Sequence, residues 1–322
     1  MKVLIVTHMY PSREHPENGV FVEQQVASLE RAGVDMEVLH VDVKRSKLLY
    51  PWSFVPLYKR TLTRRYDLVH AHYVFAGIVA RSQFRFPVVV THHGDEALHG
   101  WQAPLCRAVS RLADKTIVVT EAIRRSVGVE SAAVIPCGVD FDIFKPMDKR
   151  WAREQLGLDP GRKLVLFVGD YPKQLKRFDI IKRSVELLQE RGIDAELVVA
   201  YKQAYRRVPI YMNACDVLVL ASEHEGSPQV IKESMACNLP VVSVDVGDVA
   251  DVLAGVRGCH LSPRDPESIA DRVALVLERC ERSDGREKTR RYELGEIAKR
   301  IVEVYEEVAD GHGRARRARR KD

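Results

Sequence analysis

Between residues 222 and 242 the chain reads Ser-Glu-His-Glu-Gly-Ser-Pro-Gln-Val-Ile-Lys-Glu-Ser-Met-Ala-Cys-Asn-Leu-Pro-Val-Val. This is the pattern of a strand exit, a sharp glycine-containing loop and a helix. Ser227 is a good N-cap and Pro228 suits the first helical position, so the helix is expected over Pro228–Cys237. The free N–H groups of its first turn, together with the helix dipole, make a site for a phosphate or diphosphate. Glu225 precedes the helix and Glu233 lies more than a turn inside it. A carboxylate at that depth beside a phosphate site can accept hydrogen bonds from ribose hydroxyls. Taken as an isolated pair, the two also read as ordinary glutamates on an amphipathic helix.

Other residues could serve the same chemistry. Lys173 and Lys176 fall in a basic loop after the apolar run Leu164–Val168, where they could neutralise an anion or simply be solvated. His92 and His93 follow a second apolar run, and a histidine at a strand end is most often structural. Gly19 follows Asn18, a strong turn signal in any protein, yet only glycine lets backbone come so close to a ligand. Asp140-Phe-Asp142 is the nearest approach to a D-x-D metal site, and it sits in a linker.

These residues need a scaffold, and the hydrophobic pattern supplies one. Val3–Thr7, Met36–Val41, Leu68–Ala71, Val88–Thr91 and Thr116–Thr120 read as strands. Phe21–Ala32, Phe75–Ser82 and Leu105–Leu112 read as the helices between them. After Pro136-Cys-Gly-Val-Asp140 and Phe144-Lys-Pro146 the alternation restarts. Leu164–Val168, Ala195–Ala200, Val217–Ala221, Val241–Val244 and Cys259–Leu261 are the second set of strands. Ile180–Arg191, Pro228–Cys237 and Pro266–Arg282 are its helices. Strands apolar on both faces suit parallel sheets covered by helices, which predicts two doubly wound α/β domains. Ligands in such sheets sit beyond the carboxyl ends of the strands, so the facing edges would form a cleft. A last helix, Tyr292–Ala309, carries one apolar stripe through Leu294, Ile297, Ala298, Ile301, Val302, Val304 and Tyr305.

Composition and missing motifs narrow the classes. The chain has 322 residues, 46% hydrophobic and 30% charged, with a net charge of +5, the profile of a globular protein of about two domains. No apolar run is long enough to span a bilayer, and the start lacks the pattern of a signal peptide. The six cysteines are scattered without C-x-x-C or zinc spacing, which points to reduced thiols and a cytoplasmic address. No G-x-G-x-x-G follows a strand and no P-loop, H-E-x-x-H or G-x-S-x-G occurs. Basic residues crowd the last ten positions, and missing RNA-binding motifs speak against a nucleic-acid partner. Lys44–Arg65 interleaves basic residues with Trp52, Phe54 and tyrosines. It reads either as a face for anionic lipid or as a loop and helix packing their aromatics inward.

Several motifs together resemble one family. Glu225-Gly226-Ser227-Pro228 through Glu233-Ser234-Met235-Ala236-Cys237, then Pro240-Val241-Val242 and Asp245-Val246-Gly247-Asp248, is similar to the E-x7-E signature of retaining GT-B glycosyltransferases of family 4 (group 1). Tyr10-Pro11, Gly19-Val20-Phe21-Val22-Glu23, Asp67-Leu-Val-His-Ala-His72, Thr91-His-His-Gly94, Val134-Ile-Pro-Cys-Gly-Val-Asp140 and Phe167-Val-Gly-Asp170 with Lys176-Arg177 follow in the family's order. Cys137 replaces the commoner Asn, and Asp95-Glu96 departs from the usual small residue followed by Asp.

The resemblance implies two Rossmann-like domains facing across a cleft: an acceptor-side domain over 1–146 and a nucleotide-sugar donor domain over 147–288. A C-terminal helix over 289–310 would cross back to the first domain, and 311–322 would be a disordered basic tail. It further implies a nucleotide-sugar-dependent hexosyltransferase that retains anomeric configuration and needs neither cofactor nor obligatory metal. Glu233 would bind the ribose, Glu225 the sugar ring, and the backbone around Gly226, Ser227, Pro228, Gln229 and Val230 the donor's sugar and phosphates. Lys173 and Lys176 would neutralise the leaving diphosphate, with Gly169 and Gly19 close to the donor. His93, or in the alternative register His92, would face the transferred sugar. The expected partners are a UDP- or GDP-sugar and a glycan or lipid-linked acceptor of cell-surface polysaccharide or glycoconjugate synthesis. The protein would act in the cytoplasm or peripherally at the inner face of the membrane. A nucleotide-sugar epimerase on the same fold, or a non-catalytic sugar-nucleotide binder, is the alternative.

Overall fold

The computed structural model describes all residues except 16–17, 43–48, 99 and 319–322. The chain divides into two units, Met1–Gly138 with Leu294–Asp322, and Val139–Glu293. The divisions fall at 138/139 and 293/294 rather than at the expected 146/147 and 288/289. The Pro/Gly-containing linker is therefore split, with residues 136–138 in the first unit and 139–146 in the second.

Unit 1 holds a parallel six-stranded sheet: β1 (Lys2–Thr7), β2 (Asp35–His40), β3 (Leu68–His72), β4 (Val88–His92), β5 (Lys115–Val118) and β6 (Ala133–Val134). Their order is β2-β1-β3-β4-β5-β6. The two-residue period of a strand explains why Val3, Leu4, Ile5 and Val6 of β1 are apolar without a break. Leu4 and Val6 enter the core on one face of the sheet, and Val3 and Ile5 enter the core on the other. The expected strand to Thr120 stops at Val118, because the Thr120 hydroxyl caps the next helix by accepting from the N–H of Ile123.

Unit 2 repeats the plan with five parallel strands: β7 (Lys163–Val168), β8 (Ala195–Ala200), β9 (Val217–Leu220), β10 (Val241–Ser243) and β11 (His260–Leu261). Their order is β11-β10-β9-β7-β8. Leu164 and Leu166 of β7 face one core, Val165 and Phe167 the other. The helix Pro266–Arg279 ends short of the expected Arg282, because Cys280 takes a left-handed conformation at φ 52°. Beyond it, the Arg282 and Arg286 guanidinium groups donate to backbone carbonyls of Met212, Cys215, Ala236 and Cys237.

The C-terminal helix Leu294–Ala318 belongs to unit 1, and it runs into the segment from 311 expected to lack structure. Extending an existing helix is far easier than starting one, and Ala and Arg are strong helix formers. Ile297, Ala298, Ile301, Val304, Tyr305 and Val308 share a core with Val3, Ile5, Val22, Val26 and Leu29. One polar contact pins the helix inside that core. The Tyr305 hydroxyl lies 2.6 Å from His70 Nδ1, and His70 Nε2 lies 2.7 Å from Thr91 Oγ1. Burial depresses the His70 pKa well below its ordinary value, so the ring is neutral. Tyr305→Phe would leave a buried ring nitrogen unpaired and cost about 1–3 kcal/mol. The expected result is a lower urea midpoint with an unchanged slope.

Candidate functional site

In a parallel sheet the residues able to converge are those that follow the strands, at the point where strand order reverses. In unit 2 that point lies between β7 and β9. The loop after β7 opens with Gly169 at φ 149°, a conformation that side chains rarely adopt. Within this loop the two lysines part company. Lys176 Nζ reaches Glu225 Oε1 at 2.6 Å, with both side chains largely covered. Lys173 instead pairs with Asp170 at 3.2 Å and stays exposed, so it is not brought into the group. The loop after β9 is tied to the first loop through its backbone, where the Glu223 N–H donates to the Leu175 carbonyl at 2.8 Å. Arg177 adds an ion pair to Glu223 at 3.3 Å.

The helix after this loop runs Gln229–Ala236, one residue shorter at its start than expected. Pro228 occupies the capping position and offers no side-chain cap. Ser227 is not the cap, because its hydroxyl is engaged elsewhere. It donates to Asp248 Oδ2 at 2.9 Å and accepts from Lys232 Nζ. Lys232 is fully buried, 2.7 Å from Asp248 Oδ2 and 5.2 Å from the centre of the Tyr292 ring. This ion pair lies directly beneath the loop Gly226–Pro228. Gly247 closes the arrangement at φ 61°, since a Cβ there would stand 2.6 Å from the Gly226 carbonyl oxygen. Gln229 and Val230 open the helix.

Glu233 is nearly buried, and loss of hydration raises its pKa to about 8. A hydrogen bond with Tyr205 opposes that rise. Tyr205 stands in a short turn over 205–207 and packs edge-on against Phe144. At neutral pH the Glu233 carboxyl is therefore largely protonated. Groups that donate hydrogen bonds to it would draw it towards the carboxylate.

In unit 1 the structure separates the adjacent histidines. His92 ends β4 with its ring in the core, and Nε2 lies 2.9 Å from Ser110 Oγ. His93 follows the strand, with Nε2 2.8 Å from His72 Nδ1 and Nδ1 3.4 Å from Cys137 Sγ. Its N–H donates to Glu96 Oε1 at 3.1 Å, and its ring centre lies 4.9 Å from that of Phe21. Burial, then His72 and His92, hold the His93 pKa well below its ordinary value. His72 Nε2 is buried without a hydrogen-bond partner among the described residues. A bare lone pair there is cheaper than a stranded N–H, which assigns the proton of His72 to Nδ1. His72 then donates to His93 Nε2, and His93 Nδ1–H points at Cys137. Both ring nitrogens of His93 are thus committed within unit 1.

Gly19 sits at φ 69° before the helix Val20–Arg31, and a Cβ there would lie 2.2 Å from the carbonyl carbon of Met9. Close packing on the Met9–Tyr10 peptide is what demands glycine. The Asp140 carboxylate accepts from the N–H groups of Asp142 and Ile143, which makes the D-x-D segment a capped turn. Among the described residues no group of three or more His, Cys, Asp or Glu side chains is placed to hold a metal ion. Among them, too, no helix is long and apolar enough to cross a membrane. Lys232, Tyr205 and His72 were not foreseen as site residues. Lys232 had one signal, its place inside the otherwise uncharged-looking buried run from Ile231 to Cys237, interrupted only by Glu233.

Comparison with known proteins identifies the family and the fold. Residues 1–143 match the description "Glycosyltransferase Family 4" and residues 182–292 match "Glycosyl transferases group 1". The chain is 24% identical to TuaC of Bacillus subtilis, a glycosyltransferase assigned to teichuronic acid biosynthesis, over 85% of this chain and 88% of that one. It is 30% identical to D-inositol 3-phosphate glycosyltransferase of Mycobacterium bovis over 70% of this chain, an alignment that spans 57% of that enzyme's length. Sucrose-phosphate synthase from Thermosynechococcus elongatus superimposes with a TM-score of 0.79 at 20% identity, covering 96% of this chain and 99% of that one. With two doubly wound units, and with these two descriptions matching most of its length, the chain belongs to the family 4, group 1 glycosyltransferases of GT-B fold.

Proposed function

We propose that unit 2 binds the donor, a UDP- or GDP-sugar, at the β7–β9 switch point. Its diphosphate would lie against the first turn of Gln229–Ala236. The observation that carries this reading is the convergence of Lys176 and Glu225 from the two switch-point loops beside that helix start. The helix dipole favours an anion there. Lys176 offsets the charge that grows on the leaving diphosphate, and Glu225 contacts the transferred sugar. Glu233 accepts from the ribose hydroxyls. Lys173, exposed on its own pair with Asp170, has a secondary role at most. His93 contributes from unit 1 as a neutral ring oriented by His72 and Cys137, not as a proton donor. Transfer retains anomeric configuration and has no obligatory metal. The acceptor is a glycan or lipid-linked saccharide of cell-surface polymer synthesis, a reading supported by the named role of TuaC.

Lys176→Ala is expected to lower kcat by about 10²–10³, the scale for losing one group that stabilises transition-state charge. Lys173→Ala should cost less than about tenfold. Equal losses in steady-state kinetics would remove the distinction drawn from their contacts.

Glu233 links donor binding to pH. Its carboxyl titrates near 8 without ligand, whereas ribose hydroxyls donate best to the carboxylate. Binding then releases a proton, and donor affinity should strengthen as pH rises from 6 towards 8. Glu233→Gln should weaken binding by about 1.5–3 kcal/mol at the upper end and flatten the pH slope. Calorimetry in buffers of different ionisation enthalpy would detect the released proton.

Turnover is expected to survive chelation with EDTA. Loss of activity restored by Mg²⁺ or Mn²⁺ would mean that a metal ion, and not Lys176, neutralises the leaving diphosphate.

A further inference from the structure

Unit 1 carries an exposed apolar face. In the helix Phe54–Thr63, Leu57 and Thr61 are buried and Phe54 packs against the core. Val55 and Leu62 are 59% and 68% exposed, and Tyr58 is 40% exposed. At about 100° per residue, positions 55, 58, 59 and 62 share one side of the helix. Ser53 is itself helical, at φ −62° and ψ −23°, so Trp52, 67% exposed, continues that side. Phe84, 82% exposed, joins from the loop before β4. Three contacts hold that loop against the helix. The Tyr58 hydroxyl donates to the Ser82 carbonyl at 2.7 Å, and Arg85 donates to the carbonyls of Thr61 and Leu62 at 2.9 and 3.0 Å. The Arg81 guanidinium stands 5.5 Å from the centre of the Phe84 ring.

The charged side chains carried by this helix and loop are mostly basic. Residues 49–94 include Lys59, Arg60, Arg64, Arg65, Arg81 and Arg85, against the single acid Asp67. Glu37 pairs with Arg60 and Arg64 at 2.9 and 2.6 Å, which still leaves a positive excess. Aromatic and aliphatic side chains ringed by cations match the interface of a bilayer, where apolar groups enter below headgroups that pair with Lys and Arg. We propose that this face docks unit 1 onto the surface of an anionic lipid bilayer. The surface differs from the one expected of Lys44–Arg65. Phe54 turns inward, residues 44–48 lie outside the described residues, and Phe84 with Arg81 and Arg85 comes from elsewhere in the sequence. The proposal does not depend on the donor chemistry.

Sedimentation of the full chain with vesicles tests it. Vesicles of equal phosphatidylglycerol and phosphatidylcholine should bind the protein at least tenfold more tightly than pure phosphatidylcholine, and less so as salt rises. Replacing Trp52, Leu62 and Phe84 together by Ser should lower binding to the anionic vesicles at least tenfold. The melting temperature should hold, because all three side chains are exposed. Lys59→Glu with Arg65→Glu, which leaves the apolar residues in place, should also weaken binding. If the serine variant bound as tightly as the parent, the basic C-terminal segment or another surface would be responsible and the proposal would fall. It would fall equally if the parent ignored anionic vesicles, or if the substitutions turned a dimer into a monomer, which would give the face to a second copy of the chain.

Discussion

A parallel sheet ends all its strands at one edge, and that constraint decides where chemistry can be assembled in each unit. From β7 the chain crosses outward to β8, while from β9 it crosses in the opposite sense to β10. The loops that leave β7 and β9 therefore part over neighbouring strands and leave a crevice between them. Lys176 arrives from one loop and Glu225 from the other, though 49 residues separate them. The backbone bond from Glu223 to Leu175 and the ion pair from Arg177 to Glu223 keep the two loops in register.

Beneath that crevice the structure keeps a charge out of water. Removing Lys232 and Asp248 from solvent is expensive, and their attraction offsets the cost only because the geometry is good and the ammonium has a third partner in Ser227. Leaving either charge without its partner would cost about 3–5 kcal/mol. The arrangement has a positional consequence. With its hydroxyl held from below, Ser227 cannot turn round to cap the helix. Gly247 sets the height of the same loop, since any side chain there would strike the carbonyl of Gly226. The Tyr292 ring under Lys232 belongs to a turn whose carbonyl accepts from the N–H of Val139, so the ion pair also rests on the segment where the chain enters and leaves unit 2.

Unit 1 uses neutral histidines where unit 2 uses ions. His70 links the C-terminal helix to β4 through Tyr305 and Thr91, and His72 next along the same face holds His93. Burial drives the His72 pKa down to about 3, so these rings are permanent hydrogen-bonding groups rather than titrating ones. A neutral imidazole offers one donor and one acceptor, which makes a directional chain without the desolvation cost of a charge.

The order of strands and helices, the restart after the linker and the helix Gln229–Ala236 were legible in the sequence because each rests on local pattern: period two, period 3.6, and turn residues. The chemistry-bearing segment 222–242 was legible for the same reason, since strand exit, loop and helix are consecutive. Partnerships across long separations were not. Nothing local distinguishes Lys176 from Lys173, or His93 from His92, and only the packing of distant loops against each gives one a buried partner and leaves the other exposed or in the core. Lys232 looks like any helical lysine until Asp248, sixteen positions later in the chain, is folded against it. Hydrophobic periodicity tells which side chains must leave water. Which polar groups then meet them inside is decided by tertiary structure, because hydrogen bonds and ion pairs depend on ångström-scale distances that sequence spacing does not set.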